Sequence, residues 1–299
     1  MTKPYLKRFM LLCLTFAFLS GEVISTSYAD HGPQKLKQVE GTQFQQTRYR
    51  IFSDDEDIGS ATVSITKHDK GYTIAKLSHI NIDKWWLTLD IQSYSFEFFD
   101  INNTLLNGIY HTLDIDDDEH DLYWVELDIQ DKGKIQWLTQ KAMNKISVQE
   151  SIRRQSYLHN ALQIPLMTLQ KDRPWQLSRP NGEAQDYESI KLATGEFEVV
   201  LNQLPMVLAG LQDKQLPGTL TLLDTEFDGG EIINKVSVLD LGFENIMIRK
   251  QQQSYRHIQL IKGEDGRMDI WLDTAAELPR ILKYVEHYGD DTVKLVMEE

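Results

Sequence analysis

The sequence predicts a mainly β protein: one large curved antiparallel sheet or an open half-barrel, with a short helical insertion. An α+β arrangement stays open. Apolar and polar side chains alternate with a period of two along many short segments, as at Ala61, Val63 and Ile65. Turn residues such as those in 68–71 separate these segments. Strands and helices do not alternate regularly, which disfavours a doubly wound parallel sheet.

The first 29 residues have the pattern of a secretory signal peptide. Lys3, Lys7 and Arg8 precede an uncharged apolar run over 9–20, and a polar stretch then ends at Ser27-Tyr28-Ala29, with small residues at the positions that a signal peptidase recognises. The run is shorter than the ~20 residues that a membrane-spanning helix needs, so cleavage is favoured over a retained anchor. We therefore expect a periplasmic protein whose mature chain has no transmembrane segment.

Composition argues against several classes of protein. The single cysteine, Cys13, lies in the predicted signal peptide, so we expect a mature chain without disulfides or a zinc–thiolate site. The chain has 31 Lys and Arg against 45 Asp and Glu, a formal net charge of −14. This charge repels nucleic acid and anionic membrane surfaces, so no nucleic-acid partner is expected.

Domain organisation follows from the position of the alternating segments. Residues 30–46 are polar and read as a flexible lead-in, and 47–299 as a single β-rich domain. Along 85–91 the apolar residues share one strand face, whereas the next set, at Tyr94, Phe96 and Phe98, is displaced by one residue. Because a one-residue slip exchanges the two faces, we predict a bulge or tight bend at 92–93.

Helical signals lie in the middle of the chain. Ser147 and Glu150 fit a capping box, and apolar residues follow at helical spacing until Pro165, which predicts a helical insertion at about 140–170. The apolar segment 204–211 contains Pro205 near its start and predicts a short helix. This helix is either buried or a lid over one face of the sheet.

Two stretches together resemble a known group of families. The first is Tyr49-Arg-Ile-Phe followed by Asp57-Ile-Gly, and the second runs from Met268-Asp-Ile-Trp-Leu-Asp through Leu278-Pro-Arg-Ile to Val293-Lys-Leu. The pattern resembles the exported Gram-negative families known as domains of unknown function 3108 and 6134. The resemblance implies a β-rich periplasmic protein, and it brings no established activity or active-site residues.

Acidic residues supply weak candidates for a functional site. Asp114, Asp116–Glu119 and Asp121 invite a calcium interpretation, but the spacing fails the EF-hand pattern, and a solvated hairpin tip explains them. Strand carboxylates suited to a glycosidase are Glu97, Glu126, Asp128, Asp269 and Asp273. Hydrolase, nucleotide-binding and metalloprotease motifs are not found in the sequence. We therefore assign no catalytic residue, no metal ligand and no cofactor.

A dense aromatic series is the most suggestive feature. Its members within the predicted strands are the candidate ligand-binding residues: Trp85, Trp86, Tyr94, Phe96, Phe98, Tyr110, Tyr123, Trp124 and Trp137. Aromatic side chains on a curved sheet either line a cavity or fill a core, and the sequence leaves both alternatives open. Adjacent residues such as Trp85 and Trp86 point to opposite faces, so both faces of this region are expected to be covered.

These observations lead to a non-catalytic function as the first hypothesis. We expect a periplasmic protein that binds an apolar or envelope-derived ligand such as a lipid or glycan, or an envelope protein partner. The alternative is a carboxylate-dependent hydrolase acting on an envelope polysaccharide. A third hypothesis is an interaction module that adds a strand at a free sheet edge.

Overall fold

The computed structural model describes residues 43–69, 71–84, 87–116, 119–130, 134–142, 186–192, 198–209, 216–223, 233–248, 250–263, 266–288 and 291–298. In this part of the chain, fifteen strands form one large, nearly closed, barrel-like sheet. The predicted signal peptide, most of the predicted lead-in and the predicted helical insertion lie outside the described residues, as do Trp85 and Trp86.

The first eight strands follow one another in chain order across the sheet. They are β1 (Gln43–Ser53), β2 (Glu56–His68), β3 (Gly71–Lys84), β4 (Leu87–Asp100), β5 (Leu105–Asp116), β6 (Glu119–Gln130), β7 (Lys134–Ala142) and β8 (Asp186–Leu192).

The remaining strands run back in reverse order from the other side of β1. They are β9 (Val199–Val200), β10 (Thr219–Leu223), β11 (Ile233–Ile248), β12 (Gln251–Lys262), β13 (Gly266–Asp273), β14 (Arg280–Tyr288) and β15 (Asp291–Met297). A 3-10 turn (Leu201–Gln203) and helix α1 (Leu204–Ala209) follow β9.

Pairing of the first and last strands joins the two series into one sheet. β1 and β15 pair antiparallel, with Tyr49 opposite Met297 and Ser53 opposite Val293. Every other pairing is antiparallel except β9 with β10, which is parallel. Consecutive antiparallel strands can be joined by tight turns, and the sequence supplies them. The predicted mainly β fold with a curved sheet is confirmed.

The predicted turn at 68–71 falls where two strands meet, because β2 ends at His68 and β3 begins at Gly71. β1 begins at Gln43, four residues before the predicted start of the domain. The short helix predicted at 204–211 is α1, and Leu204 and Leu208 are both 0% exposed, as expected of a buried helix.

The predicted bulge at 92–93 is wrong. β4 pairs with β3 in an unbroken register from Leu87 to Asp100, and a register shift occurs instead between Phe98 and Phe99, against β5. The displaced apolar set has another cause: the two sets lie on opposite faces of a continuous strand. The face that carries Leu89 and Ile91 continues with polar residues.

Both faces of β3 are buried over its first half. Gly71 to Lys76 are all buried, although a strand with one solvated face would alternate. On the face opposite Lys76, Thr73 is 3% exposed and Ala75 is 6% exposed. We refer to the face that carries Lys76, Ile80 and Ile91 as the inner face, because Ile80 and Ile91 belong to the main core.

Two apolar clusters fill the inner face. The larger includes Ile51, Ile80, Ile91 and Tyr284 together with Leu204 and Leu208 of α1. The smaller lies around Tyr72 and Phe99, whose rings stack 4.8 Å apart. Val200 and Leu223 belong to this second cluster, so the β9–α1 segment packs against the inner face of β2–β4.

Candidate binding site on the inner face

Five buried polar residues form a patch on the inner face of β3 and β4. This polar patch consists of Lys76, Ser78, Ser93, Ser95 and Glu97, whose exposed fractions range from 0% to 4%. Register places them side by side, with Lys76 opposite Ser95 and Ser78 opposite Ser93. Buried charges are costly unless they are paired and hydrogen-bonded, so a patch of this kind needs an explanation.

The polar patch lies between the two apolar clusters. Toward one end of the strands the same face continues with Ile80, Ile82, Leu89 and Ile91 of the larger cluster. Toward the other end it continues with Ile74, Tyr72 and Phe99 of the smaller cluster. The inner face therefore changes from apolar to polar and back to apolar along one strand pair.

The 3-10 turn before α1 supplies the partners of this patch. The Asn202 amide donates to Glu97 Oε1 at 2.6 Å, and Lys76 Nζ donates to Asn202 Oδ1. The neighbouring Gln203 amide donates to the backbone carbonyl of Asn103 at 2.5 Å. Two side chains from a loop region thus tie the start of α1 to β3 and to the turn after β4.

A cavity of about 40 Å³ opens beside the polar patch. It is lined by Gln45, Thr47, Tyr49, Val63, Ile65, Lys76, Asn202, Pro205, Pro279, Arg280, Ile281, Tyr284 and Leu295. The lining comes from β1, β2, β3, β14 and β15, with the 3-10 turn and α1 on one side. Its volume suits about three water molecules, since each needs roughly 10–15 Å³, and falls well short of the ~300 Å³ of a ligand pocket.

Hydrogen bonds hold the wall of this cavity on the β14 side. The Tyr49 hydroxyl donates to the Ile281 carbonyl at 2.8 Å, and burial raises the pKa of Tyr49, which keeps the phenol neutral. Arg280 Nε and Nη2 donate to Asp273 Oδ2 at 3.2 and 3.0 Å. Asp273 Oδ1 also accepts from the Ala276 amide at 3.2 Å. Asp273 thus closes the turn after β13 and positions Arg280.

Chemically, the cavity offers donors and apolar surface. Its charged lining residues are Lys76 and Arg280, both basic, and Asn202, Gln45 and Thr47 add neutral polar groups. Among the described residues, no group of three or more His, Cys, Asp or Glu is arranged to hold a metal ion. The arrangement suits binding of an anionic or polar group next to an apolar one.

The backbone register divides the predicted aromatic residues between two faces. Tyr110 stands opposite Ser95, so its row belongs to the inner face, and Tyr123 and Trp137 follow the same alternation. Tyr94, Phe96, Phe98 and Trp124 belong to rows of the opposite face. The structure describes only the backbone of these seven residues, so their role in ligand binding stays a prediction.

The predicted carboxylates are engaged where the structure describes them. Glu97 is 0% exposed and accepts from Asn202, and Asp273 holds Arg280. The side chains of Glu126 and Asp128 lie outside the described residues. The hydrolase hypothesis stays a prediction, without a specific observation in its favour.

Asp269 is the centre of a network on the opposite face. It accepts from His257 Nε2 at 3.0 Å and from His287 Nε2 at 3.1 Å, and pairs with Arg267 Nε at 3.0 Å. Burial acts to raise the pKa of Asp269, but hydrogen bonds from Gln259 and His257 and the Arg267 charge outweigh it and hold the pKa below its usual range.

An aromatic stack completes this network. The His257 ring stacks on Trp271 at 4.3 Å, and Lys283 Nζ lies 4.4 Å from the Trp271 ring centre. Trp271 Nε1 donates to Glu244 at 2.9 Å. Trp271 is 6% exposed, so its ring is covered by its neighbours. The network therefore explains Asp269 and Trp271 as residues that join β11, β12, β13 and β14.

The polar patch was missed by the sequence analysis. Its signal is the interleaving in β4, where Ser93, Ser95 and Glu97 alternate with the three aromatic residues that drew attention. The sequence analysis expected both faces of this region to be covered, but it named only the aromatic residues as candidates. Asn202 and Gln203 give no periodic signal, because they come from a non-repetitive turn.

Comparison with protein-family models, with curated proteins and with solved structures finds no match. In the described ranges, no helix is both long and apolar enough to cross a membrane. The site must therefore be interpreted from its own geometry.

Proposed function

We propose that this is an exported, non-catalytic periplasmic protein that binds an apolar or envelope-derived ligand on the inner face of the sheet, beneath α1. The observation that carries the proposal is the cavity between α1 and the strands, where apolar residues such as Val63, Pro205 and Leu295 adjoin buried polar groups. Lys76 lines this space, and Asn202 joins it to the buried Glu97, so charged and polar groups lie next to the apolar lining.

Helix α1 occupies the space that a larger ligand needs. It has six residues, and its apolar side chains Leu204 and Leu208 fill the core next to the cavity. Exposing each of them to water would cost ~1.5–3 kcal/mol, but an apolar ligand in the same place restores the burial. The ligand therefore displaces α1 and takes its place on the inner face.

A neutral fluorescent probe tests the proposal. N-phenyl-1-naphthylamine should bind saturably to the mature protein, with an increase in fluorescence. Val63→Phe, which fills the cavity, should weaken binding at least tenfold. Leu239→Phe is the matched control, because Leu239 is 43% exposed on β11 and adds a ring away from the cavity. Absence of saturable binding, or an equal loss in both variants, would contradict the proposal.

Location is tested separately. Osmotic-shock fractionation of a Gram-negative host should release the protein with the periplasmic fraction, and its intact mass should correspond to a chain that begins at Asp30. Recovery of a full-length precursor from the membrane fraction would contradict the proposed export and processing.

A second candidate function, binding of a partner protein, is favoured by a different surface. β12 pairs with β13 only from Arg256 onward, and β11 pairs with β10 only up to Ser237, within the described residues. The end of the β11–β12 hairpin therefore projects from the sheet and carries Phe243 and Met247, which are 72% and 63% exposed. Exposed apolar residues beside an unpaired strand edge suit strand addition by a partner.

Pull-down from periplasmic extract tests this second function. Phe243→Ser with Met247→Ser should abolish capture of any specific partner, whereas Phe44→Ser, at another exposed apolar residue, should retain it. Equal capture by both variants would contradict a partner-binding role for this hairpin.

A further inference from the structure

We infer that the ligand carries an anionic group, a carboxylate or a phosphate, which binds in the cavity between Lys76 and Arg280. The inference rests on the proposed function and specifies the chemical class of its ligand. An amphiphile with one anionic group and an apolar chain fits both parts of the site.

The charged residues that line the cavity favour an anionic ligand. The chain has 45 acidic and 31 basic residues, so a lining drawn at random would favour carboxylates. Instead, the two charged residues among the thirteen that line the cavity are Lys76 and Arg280, and none of those thirteen is acidic. The cavity surface therefore presents cationic groups, and Asp273, the carboxylate partner of Arg280, lies outside the lining.

Arg280 and Lys76 also have the hydrogen-bond donors that an anion needs. A guanidinium has five N–H donors in a planar fork, and the bonds to Asp273 use Nε and one Nη2 hydrogen. Arg280 can therefore keep Asp273 and hold a second anion at the same time. Lys76 is 4% exposed, and an ammonium at this depth interacts strongly with an anion because little water screens it.

The neighbouring lining residues add both polar donors and apolar surface. Asn202 and Thr47 add amide and hydroxyl donors beside the cations, whereas Ile65, Ile281 and Leu295 offer apolar surface. The volume of about 40 Å³ holds a group the size of a carboxylate. The chain that follows the anionic group then extends into the space that α1 occupies.

Isothermal titration calorimetry with matched twelve-carbon probes tests the inference. Dodecanoate and dodecyl phosphate should bind at least tenfold more tightly than dodecanol, and dodecyltrimethylammonium more weakly than dodecanol. Acetate and inorganic phosphate, which lack the chain, should bind at least a hundredfold more weakly than their dodecyl counterparts. Equal affinity for dodecanoate and dodecanol would overturn the inference, as would acetate or phosphate binding as tightly as the dodecyl compounds.

Variants identify the cations. Arg280→Gln should reduce dodecanoate affinity at least fivefold and leave dodecanol affinity unchanged. Arg267→Gln, at a half-exposed arginine on the opposite face, should change neither. Lys76→Met should independently reduce the preference for dodecanoate over dodecanol. Circular dichroism checks that each variant is folded. A preference that survives both substitutions would overturn the assignment.

The outcomes separate this inference from the proposed function. If dodecanol and dodecanoate bind equally well, and Val63→Phe weakens both, the inner face binds apolar ligands and the anionic specificity is wrong. If no dodecyl compound binds, the proposed function itself fails.

Discussion

Two neighbouring parts of the β3–β4 strand pair, which we call the apolar half and the polar half, differ on the inner face, and the smaller apolar cluster lies beyond the polar half. In one half Ile80, Ile82, Leu89 and Ile91 are buried within the main core. In the other half, the polar patch of Lys76, Ser78, Ser93, Ser95 and Glu97 is equally buried. Register and strand geometry are continuous across the boundary, so the difference lies in the side chains alone. The apolar half packs within the main core, and the polar half holds the 3-10 turn before α1 through Asn202.

The largest effect is expected from the charges of the polar patch. Lys76→Met should lower the free energy of unfolding by about 3–5 kcal/mol, because it leaves Glu97 buried with less compensation. Lys76→Met combined with Glu97→Met should recover stability to the wild-type level or above, because Asn202 bonds both side chains and replacing buried opposite charges by apolar groups is often neutral or stabilising.

Urea denaturation of Lys76→Met, Glu97→Met and the double variant measures these changes in the free energy of unfolding. Additive destabilisation in the double variant would contradict the comparison, because it would show that the polar half stabilises the fold as the apolar half does.

A similar but slightly smaller effect is expected in the apolar half. Ile91→Ala should lower the free energy of unfolding by about 2–5 kcal/mol, because Ile91 is 0% exposed and its truncation leaves a cavity. Ile101→Ala, at a residue 70% exposed, should change stability by less than about 0.5 kcal/mol. Binding of dodecanoate to Ile91→Ala should stay at the wild-type level at 10 °C. Loss of dodecanoate binding in the folded Ile91→Ala variant would contradict the claim that only the polar half takes part in binding.

A moderate effect is expected where the cavity wall meets the turn after β13. Asp273→Asn should cost about 1.5–3 kcal/mol, because it removes a charge-assisted bond to the partly buried Arg280. The control Glu56→Gln breaks an ion pair with Lys84 at an exposed position and should cost less than about 1 kcal/mol. Thermal unfolding compares the two, and equal shifts in Tm would show that the Arg280 pair has no special structural role.

The smallest effect concerns acid sensitivity on the opposite face. The pKa of Asp269 is lower in the folded protein than its usual value near 4, so its contribution to stability is present above pH ~4 and is lost as the pH falls through the folded value. Asp269→Asn should therefore flatten the dependence of the urea midpoint on pH below 4.5. Asp83→Asn, at an exposed carboxylate, is the control, and an unchanged slope in Asp269→Asn would contradict the shifted pKa.

Local patterns predicted most of the sheet. Alternation at Ala61, Val63 and Ile65 and the turn residues before Gly71 gave the strands and several of their ends, because both depend on residues that are close in sequence. The same reasoning mistook the displaced apolar set of β4 for a bulge. A one-residue displacement arises from an inserted residue or from a change in which face is apolar, and sequence alone does not separate the two.

Local patterns do not predict the full length of β11, because Asp240, Gly242 and Asn245 are typical of loops. In the structure a bulge lies between Asp240 and Gly242, where Gly242 has a φ of +83° and donates its amide to Asp240 Oδ1 at 3.0 Å. The strand then continues to Ile248.

The candidate site could not be assembled from local patterns. Asn202 reaches Glu97 across a sequence separation of 105, and Tyr49 reaches Ile281 across 232. Such contacts depend on how the sheet curves and on where α1 packs. The sequence indicated a binding region in β4, but it pointed to the aromatic residues and not to the polar residues between them.

Photo-crosslinking tests the central claim most directly. A dodecanoate analogue with a diazirine beside the carboxylate end of its chain, bound to the mature protein and irradiated, should label peptides that contain 63–65 and 281–284 at the cavity. Excess dodecanoate should suppress the labelling. Labelling confined to 239–248, where the exposed apolar residues of β11 lie, would show that the inner face is a closed core and would contradict the account.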